Sequence, residues 1–258
     1  MALIVGTAIP AIGSVLAMTL SASSSASAAT LPAYIGAAVA DAARPEADRQ
    51  RDTERKPAET LAFAGVKPGD AVMELAAGRG YYTRLLSAAV GPQGKVLVVV
   101  APPKPDAPAD APVPGAAVRE IAADPRYANV TVIVQRLGEL APPVKVDLVW
   151  TSQNYHDFHN LSDISISTIN RAVFQALKPG GTYLVLDHAA APGSGTRDTS
   201  TLHRIDEAAV IKEVQEAGFE LKGKSNILRN PADDHTAKVF DAPIRGHTDQ
   251  FILKFGKP

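Results

Sequence analysis

The chain has 258 residues, 46% of them hydrophobic, which is enough for one large core and makes a single α/β domain the expectation at this length. Its 26 basic and 27 acidic residues leave a formal net charge of −1, so no positive excess exists to grip a phosphate backbone, and nucleic acid is disfavoured as the main partner. With no cysteine, a disulfide framework, a lipid-modified cysteine and thiolate metal sites are excluded.

The N-terminal stretch MALIVGTAIPAIGSVLAMTL is apolar and uncharged, and SASSSASAAT follows it. That order reads as an export signal over residues 1–28, with Ala26-Ser27-Ala28 as the small-x-small cleavage site. An exported, periplasmic or secreted address follows, with no stable membrane association once the signal is removed. No Lys or Arg precedes the apolar run, so an uncleaved anchor or a start further upstream is the alternative. Residues 29–60 are Ala-rich and densely charged, which suggests a helical extension ahead of a main domain over 61–258.

Beyond KPGD, a turn by its Pro and Gly, the apolar run 71–75 is the first strand. Residues 81–90 carry apolar side chains at helical spacing and stop at Gly91-Pro92. A continuous β-branched run, 94–100, has the pattern of a strand covered on both faces. Six prolines mark 101–114 as an extended, solvated loop. Helix 114–124, strand 129–135, strand 146–152, helix 163–177, a KPGG turn, strand 182–188 and helix 205–217 continue the alternation. Strands over FELKGKS and 248–255 end the chain, joined by an irregular polar stretch that permits antiparallel pairing. The fold class is α/β, a doubly wound, mostly parallel sheet with an antiparallel last strand.

The segment VMELAAGRGYYT, residues 72–83, places Gly78 and Gly80 between the first strand and its helix. Glycines there let a ligand approach bare main chain, and the helix N-terminus favours an anionic group. A dinucleotide fingerprint fits poorly: Thr83 takes the third glycine position, and strand two ends in Val100-Ala101-Pro102 with no acid. The alternative is an acid in the strand followed by alternating small residues, Glu74-x-Ala76-x-Gly78-x-Gly80, with Ala76 standing in for a glycine. Since Ala tolerates most negative-φ backbones, little consequence is expected from that replacement.

VMELAAGRGYYTRLLS resembles motif I of the class I S-adenosylmethionine-dependent methyltransferases. LKPGGTYLVLDH looks like their approach to strand five, and VDLVWTSQNYHDFHN sits where motif IV belongs. Residues 45–258 further resemble a group of exported bacterial predicted methyltransferases, in the strings ARPEADRQRDTERKPAETLAFAGVKPGD, NYHDFHN, HRID, LRNPADDHT and FDAPIRGHTDQFILKF. The resemblance implies a seven-stranded Rossmann-like sheet with a reversed last strand, and S-adenosylmethionine as cofactor. It implies a cofactor-binding set of Glu74, Ala76, Gly78, Gly80, Thr83 and Asn154. The ribose-gripping acid of the family is missing at Ala101 or Pro102.

Methyl transfer needs alignment and, for a protonated nucleophile, a base. NYHDFH offers His156 as that base, Asp157 to orient a histidine or bind a ligand, and Tyr155 at the ligand edge. His156, His159, His188 and His203 fall near strand ends on one expected rim. A rival use is metal ligation by His156, His159 and Asp157, joined by Asp187-His188 or by Asp233, Asp234 and His235, although no H-E-x-x-H occurs and no metal is assigned. No G-x-S-x-G appears, which disfavours a serine hydrolase. Arg55, Lys56 and Arg229 read as solvated or salt-bridged, with a basic residue of the N-terminal segment a candidate to close over the cofactor carboxylate. The expected activity is methyl transfer to a small-molecule acceptor; the alternative is a non-catalytic exported binding protein that keeps the fold.

Overall fold

The computed structural model describes residues 1–3, 31–103, 107–108 and 110–258. Nearly all of the expected export signal, with its cleavage site, lies outside the described residues. Leu31–Pro258 forms one compact unit, so the helical stretch after residue 30 is built into the same body as the sheet. No described helix is long and apolar enough to cross a membrane.

Seven strands, β1 (Ala71–Leu75), β2 (Lys95–Val100), β3 (Val130–Val134), β4 (Val146–Ser152), β5 (Leu177–His188), β6 (Glu220–Ser225) and β7 (Gln250–Gly256), form one sheet in the order β3-β2-β1-β4-β5-β7-β6. The first five pair in parallel, and β7 runs antiparallel between β5 and β6, as the polar connection implied. The KPGG segment differs from expectation: it lies inside β5, where Gly180 takes φ +74° and the register against β4 shifts. Glycine admits such a bulge without ending the strand.

The strands form because their side chains are buried on both faces. Val72, Val96, Val98 and Val100 point into one apolar layer with α1 (Ala33–Ala40), α4 (Pro57–Ala64), α5 (Tyr81–Val90) and α6 (Ala116–Ala123). Ala71, Met73, Leu75, Leu97 and Val99 point into the other, beneath α8 (Ile166–Ala176) and α9 (Glu207–Glu216). This period of two converts a continuous apolar run into two cores. Helices α8 and α9 start at polar caps: Ser165 accepts from Thr168 N–H and Asp206 from Ala208 N–H.

Two charge clamps hold the covering segments. Arg44, 2% exposed, bonds both carboxylate oxygens of Asp52 at 2.8 Å, and the Tyr81 hydroxyl donates to the same carboxylate at 2.7 Å. With Arg84 on Asp48 at 2.9 Å, these contacts fix α2 (Glu46–Arg49) and α3 (Asp52–Arg55) over the start of α5. At the other end, fully buried Arg204 pairs with Asp233 at 2.8 Å and donates to the Ala189 and Ala237 carbonyls at 2.9 Å each. The irregular stretch between β6 and β7 is thereby held against the loop after β5. Removing one partner strands the other charge in the interior, so Asp233→Ala should lower stability by about 3 kcal/mol or more, read as a lower urea midpoint with an unchanged slope.

Candidate active site

Adjacent β1 and β4 lead the chain to opposite sides of the sheet, and a ligand crevice belongs beyond their carboxyl ends. A cleft of about 170 Å³ lies there, lined by Glu74, Ala76, Gly78, Ser152, Gln153 and Asn154, with Arg51, just before α3, and Arg55, at its end, on the rim. A larger hollow of about 960 Å³ opens at the N-terminal ends of β2 and β3, beside Lys95 and Asn129. That is the wrong end of a parallel sheet for the usual site, so the smaller cleft is the candidate.

The two glycines have different duties. At Gly78 the backbone has φ +58°, and a Cβ there would meet nothing within 4 Å, so its main chain faces open space. Gly80, at φ +79°, is a packing position: a Cβ would lie 2.2 Å from Ile121 Cδ1 on α6. The structure overturns the expectation for Ala76, whose φ is +52°; its methyl sits in the left-handed region, at roughly 1–2 kcal/mol for an L residue. Asn154 donates to the Ala76 carbonyl at 3.0 Å and so ties the β4 loop to the β1 loop. Thr83 is fully buried beneath the loop and donates to Glu74 Oε2 at 2.6 Å, supporting the cleft wall rather than lining it. Ala76→Gly should therefore raise the urea midpoint, whereas Gly80→Ala should cost about 2 kcal/mol or more from overpacking and backbone strain together.

Burial pushes the Glu74 carboxyl up to about 7, against a smaller opposing effect of the Thr83 hydroxyl. The folded protein thus retains this proton where the unfolded chain, with an ordinary value of 4.5, has released it. Glu74's contribution to stability consequently falls as pH rises from about 4.5 through about 7. Glu74→Gln should flatten that part of the pH dependence of the thermal midpoint.

Arg55 closes the other side of the cleft. Its guanidinium lies 4.7 Å from the Tyr81 ring centroid and donates to Gln153 Oε1 at 2.6 Å. Burial lowers its pKa, with further lowering by Arg51 and partial compensation from the neighbouring tyrosines. Neither Arg51 nor Arg55 forms an ion pair with a carboxylate among the described residues. By contrast, Arg229 bonds Glu207 and Asp249, and Lys56 donates to the Ile227 carbonyl at 2.8 Å. The Ser152 hydroxyl, in the cleft wall, is buried with no partner among the described residues. Unpaired cations and an orphaned hydroxyl around exposed main chain fit a ligand with a carboxylate and further polar groups.

On the same rim, His156 is 2% exposed and fastened to fully buried Asp187 through its backbone N–H and Nδ1, each at 2.8 Å. Burial alone would lower the pKa of His156, but Asp187 and Asp157 outweigh it and raise it to about 10. With its proton favoured by two carboxylates, His156 is poorly suited to serve as the base, against expectation. His188 is the opposite case, lowered to about 4 chiefly by burial, with Nδ1 2.7 Å from the Thr248 hydroxyl. His203 Nδ1 reaches Asp157 Oδ1 at 3.3 Å. His159 turns away to Glu213 at 3.1 Å, and His235 bonds Asp249 at 3.1 Å. Tyr155 is not at the ligand edge; it is fully buried among the residues under α8 and α9, with its hydroxyl on Asn170 and Glu213.

Sequence reasoning did not single out Arg51, Gln153 or Gln250, although Gln153 bridges Arg55 to Gln250. Gln153 immediately follows the strand and takes φ +60°, yet no residue type there announces this. Asp187-His188 at the end of a buried strand was visible, but its pairing with His156 was not.

No protein-family profile matches the sequence, and no curated protein matches it. Solved structures do match in fold. A SAM-dependent methyltransferase from Aquifex aeolicus superimposes with a TM-score of 0.57 at 18% identity, covering 83% of this chain and 96% of its own. The [4+2]-cyclase SpnF gives 0.55 at 17% identity, covering 82% and 81%. The 1,6-didemethyltoxoflavin-N1-methyltransferase of Burkholderia thailandensis, crystallised with 1,6-didemethyltoxoflavin and S-adenosylhomocysteine, gives 0.51 at 16% identity, covering 82% and 78%. The chain therefore has the Rossmann-like fold of the methyltransferases, a seven-stranded mixed sheet with a reversed strand.

Proposed function

We propose that this protein is an S-adenosylmethionine-dependent methyltransferase acting on a small-molecule acceptor outside the cytoplasm. The observation that carries the reading is the open main chain at Gly78, at the β1/β4 switch point, faced by Arg55 without a carboxylate partner. Arg55, with Arg51, would receive the carboxylate of the cofactor's amino-acid end. Ser152 and the 76–78 main chain offer hydrogen bonds, and the Glu74 carboxyl adds a polar group to the cleft wall. S-adenosylmethionine supplies a methyl group on a sulfonium, and the protein's task is to align it and exclude water. With Ala101 and Pro102 where the family has a ribose-binding acid, affinity rests more heavily on the arginine side.

We place the acceptor side at His156 and Asp157, which follow Asn154 of the cleft in the chain, with His203 beside Asp157. A small-molecule acceptor is supported by the near-neutral charge of the chain and by the 1,6-didemethyltoxoflavin bound in one structure of the same fold. The apolar, uncharged start followed by a Ser/Ala tract supports export.

Calorimetric titration with S-adenosylmethionine and S-adenosylhomocysteine tests the reading. Saturable binding with one site per chain is expected, and Arg55→Met should weaken it about tenfold or more through loss of a charge-assisted hydrogen bond. Gly78→Val should abolish it. Absence of heat at millimolar ligand, or wild-type affinity in Gly78→Val, would overturn the proposal.

A further inference from the structure

We infer that His156, Asp157 and His203 bind one divalent first-row transition ion, such as Zn²⁺. One ligand atom from each lies within 4.8 Å of the other two. Asp157 Oδ1 is 3.3 Å from His156 Nε2 and 3.3 Å from His203 Nδ1. Two ligands bound to zinc at about 2.0–2.1 Å in tetrahedral array stand roughly 3.3 Å apart, which is the spacing found. A charge-assisted N–H···O bond is shorter, about 2.7–2.9 Å, and His156 makes one to Asp187 at 2.8 Å. Within one imidazole, then, one nitrogen is at hydrogen-bonding distance and the other at the separation of two metal ligands.

The shell behind these atoms is built for ligation. Asp187 is fully buried and takes both Nδ1 and the backbone N–H of His156, which fixes the ring and leaves Nε2 as its outward atom. A carboxylate holding the far nitrogen is the usual support of a metal-binding histidine. His203 is carried at φ +57° beside buried Arg204, whose ion pair with Asp233 secures the loop. Its ring lies 4.9 Å from that of Phe240, giving the site one apolar wall. The Asp157 side chain is 47% exposed and that of His203 26%, so an ion reaches the three atoms from solvent. Two imidazoles and one carboxylate suit zinc or ferrous iron and leave positions for an exogenous ligand.

Combined with the methyl transfer proposed above, on which this last step rests, the open positions would take a hydroxyl-bearing acceptor. Its O–H proton passes to solvent more readily on the ion. The oxygen then bonds to the methyl carbon as the carbon–sulfur bond breaks, the electron pair staying on sulfur.

The test is titration of the chelator-treated full chain with Co²⁺, read by visible absorption, and with Zn²⁺ in competition. One Co²⁺ per chain, displaced by Zn²⁺, is expected. Asp157→Asn and His203→Asn, the latter keeping a residue that tolerates left-handed backbone, should each weaken binding at least tenfold. Asp187→Asn, which removes no ligand, should weaken it about 10- to 100-fold, while His159→Gln should leave it unchanged. Lack of stoichiometric binding, or wild-type affinity in both Asp157→Asn and His203→Asn, would overturn the inference. The readout is the ion itself, so its failure leaves the cofactor titration and methyl transfer standing.

Discussion

Between β1 and α5 the chain takes left-handed backbone at every second residue, Ala76, Gly78 and Gly80. That turn is the constraint on which the rest depends. It lifts the main chain at Gly78 into the crevice while bringing Gly80 so close to Ile121 that a Cβ would force the Ile121 side chain to move. Beneath it, Thr83 on α5 reaches back to the buried carboxyl of Glu74, so strand, turn and helix are locked as one unit. An alanine in the first left-handed position shows the strain being carried by the surrounding structure. Gln153 and His203 are left-handed too, and strained backbone tends to gather where function fixes geometry.

Charge is distributed to match. Near the cleft, Arg44 and Arg84 are neutralised by Asp52 and Asp48, which holds α3 in place and leaves Arg51 and Arg55 for something outside the chain. Past the end of β4, carboxylates surround imidazoles: Asp187 and Asp157 on His156, and Asp157 again on His203. The crevice thus has a cationic wall where an anionic end of a ligand fits, and the histidine–carboxylate cluster follows it in the chain after Asn154. Gln153 is bonded to Arg55 on one side and Gln250 on the other, which ties the β4 loop to α3 and β7.

Much of the architecture could be read from residues alone, because strands buried on both faces must be apolar throughout and the polar connection before β7 had no helical period. The glycine loop was legible for the same local reason. What escaped depends on distant partners. Gly80 is a packing residue only because Ile121 comes to meet it, and Arg55 reaches the cleft only because α3 is clamped onto α5. Tyr155 adjoins His156 in sequence but points into the apolar layer beneath α8 and α9, toward Asn170 and Glu213, a choice that side-chain type does not reveal. The histidines offered several groupings, and the one formed replaces His159 with His203, brought in by a loop that the Arg204–Asp233 pair secures. The protonation of His156 likewise follows from Asp187, thirty-one residues away.

The central claim is that a nucleoside-bearing amino acid lies against the 76–78 main chain with its carboxylate at Arg55. A crystal structure with S-adenosylhomocysteine tests it most directly. The account predicts ligand density along Ala76–Gly78, a carboxylate bonded to the Arg55 guanidinium, and the adenosine running toward the end of β2. Density in the hollow beside Lys95 and Asn129, or a crevice left empty at saturating ligand, would contradict it.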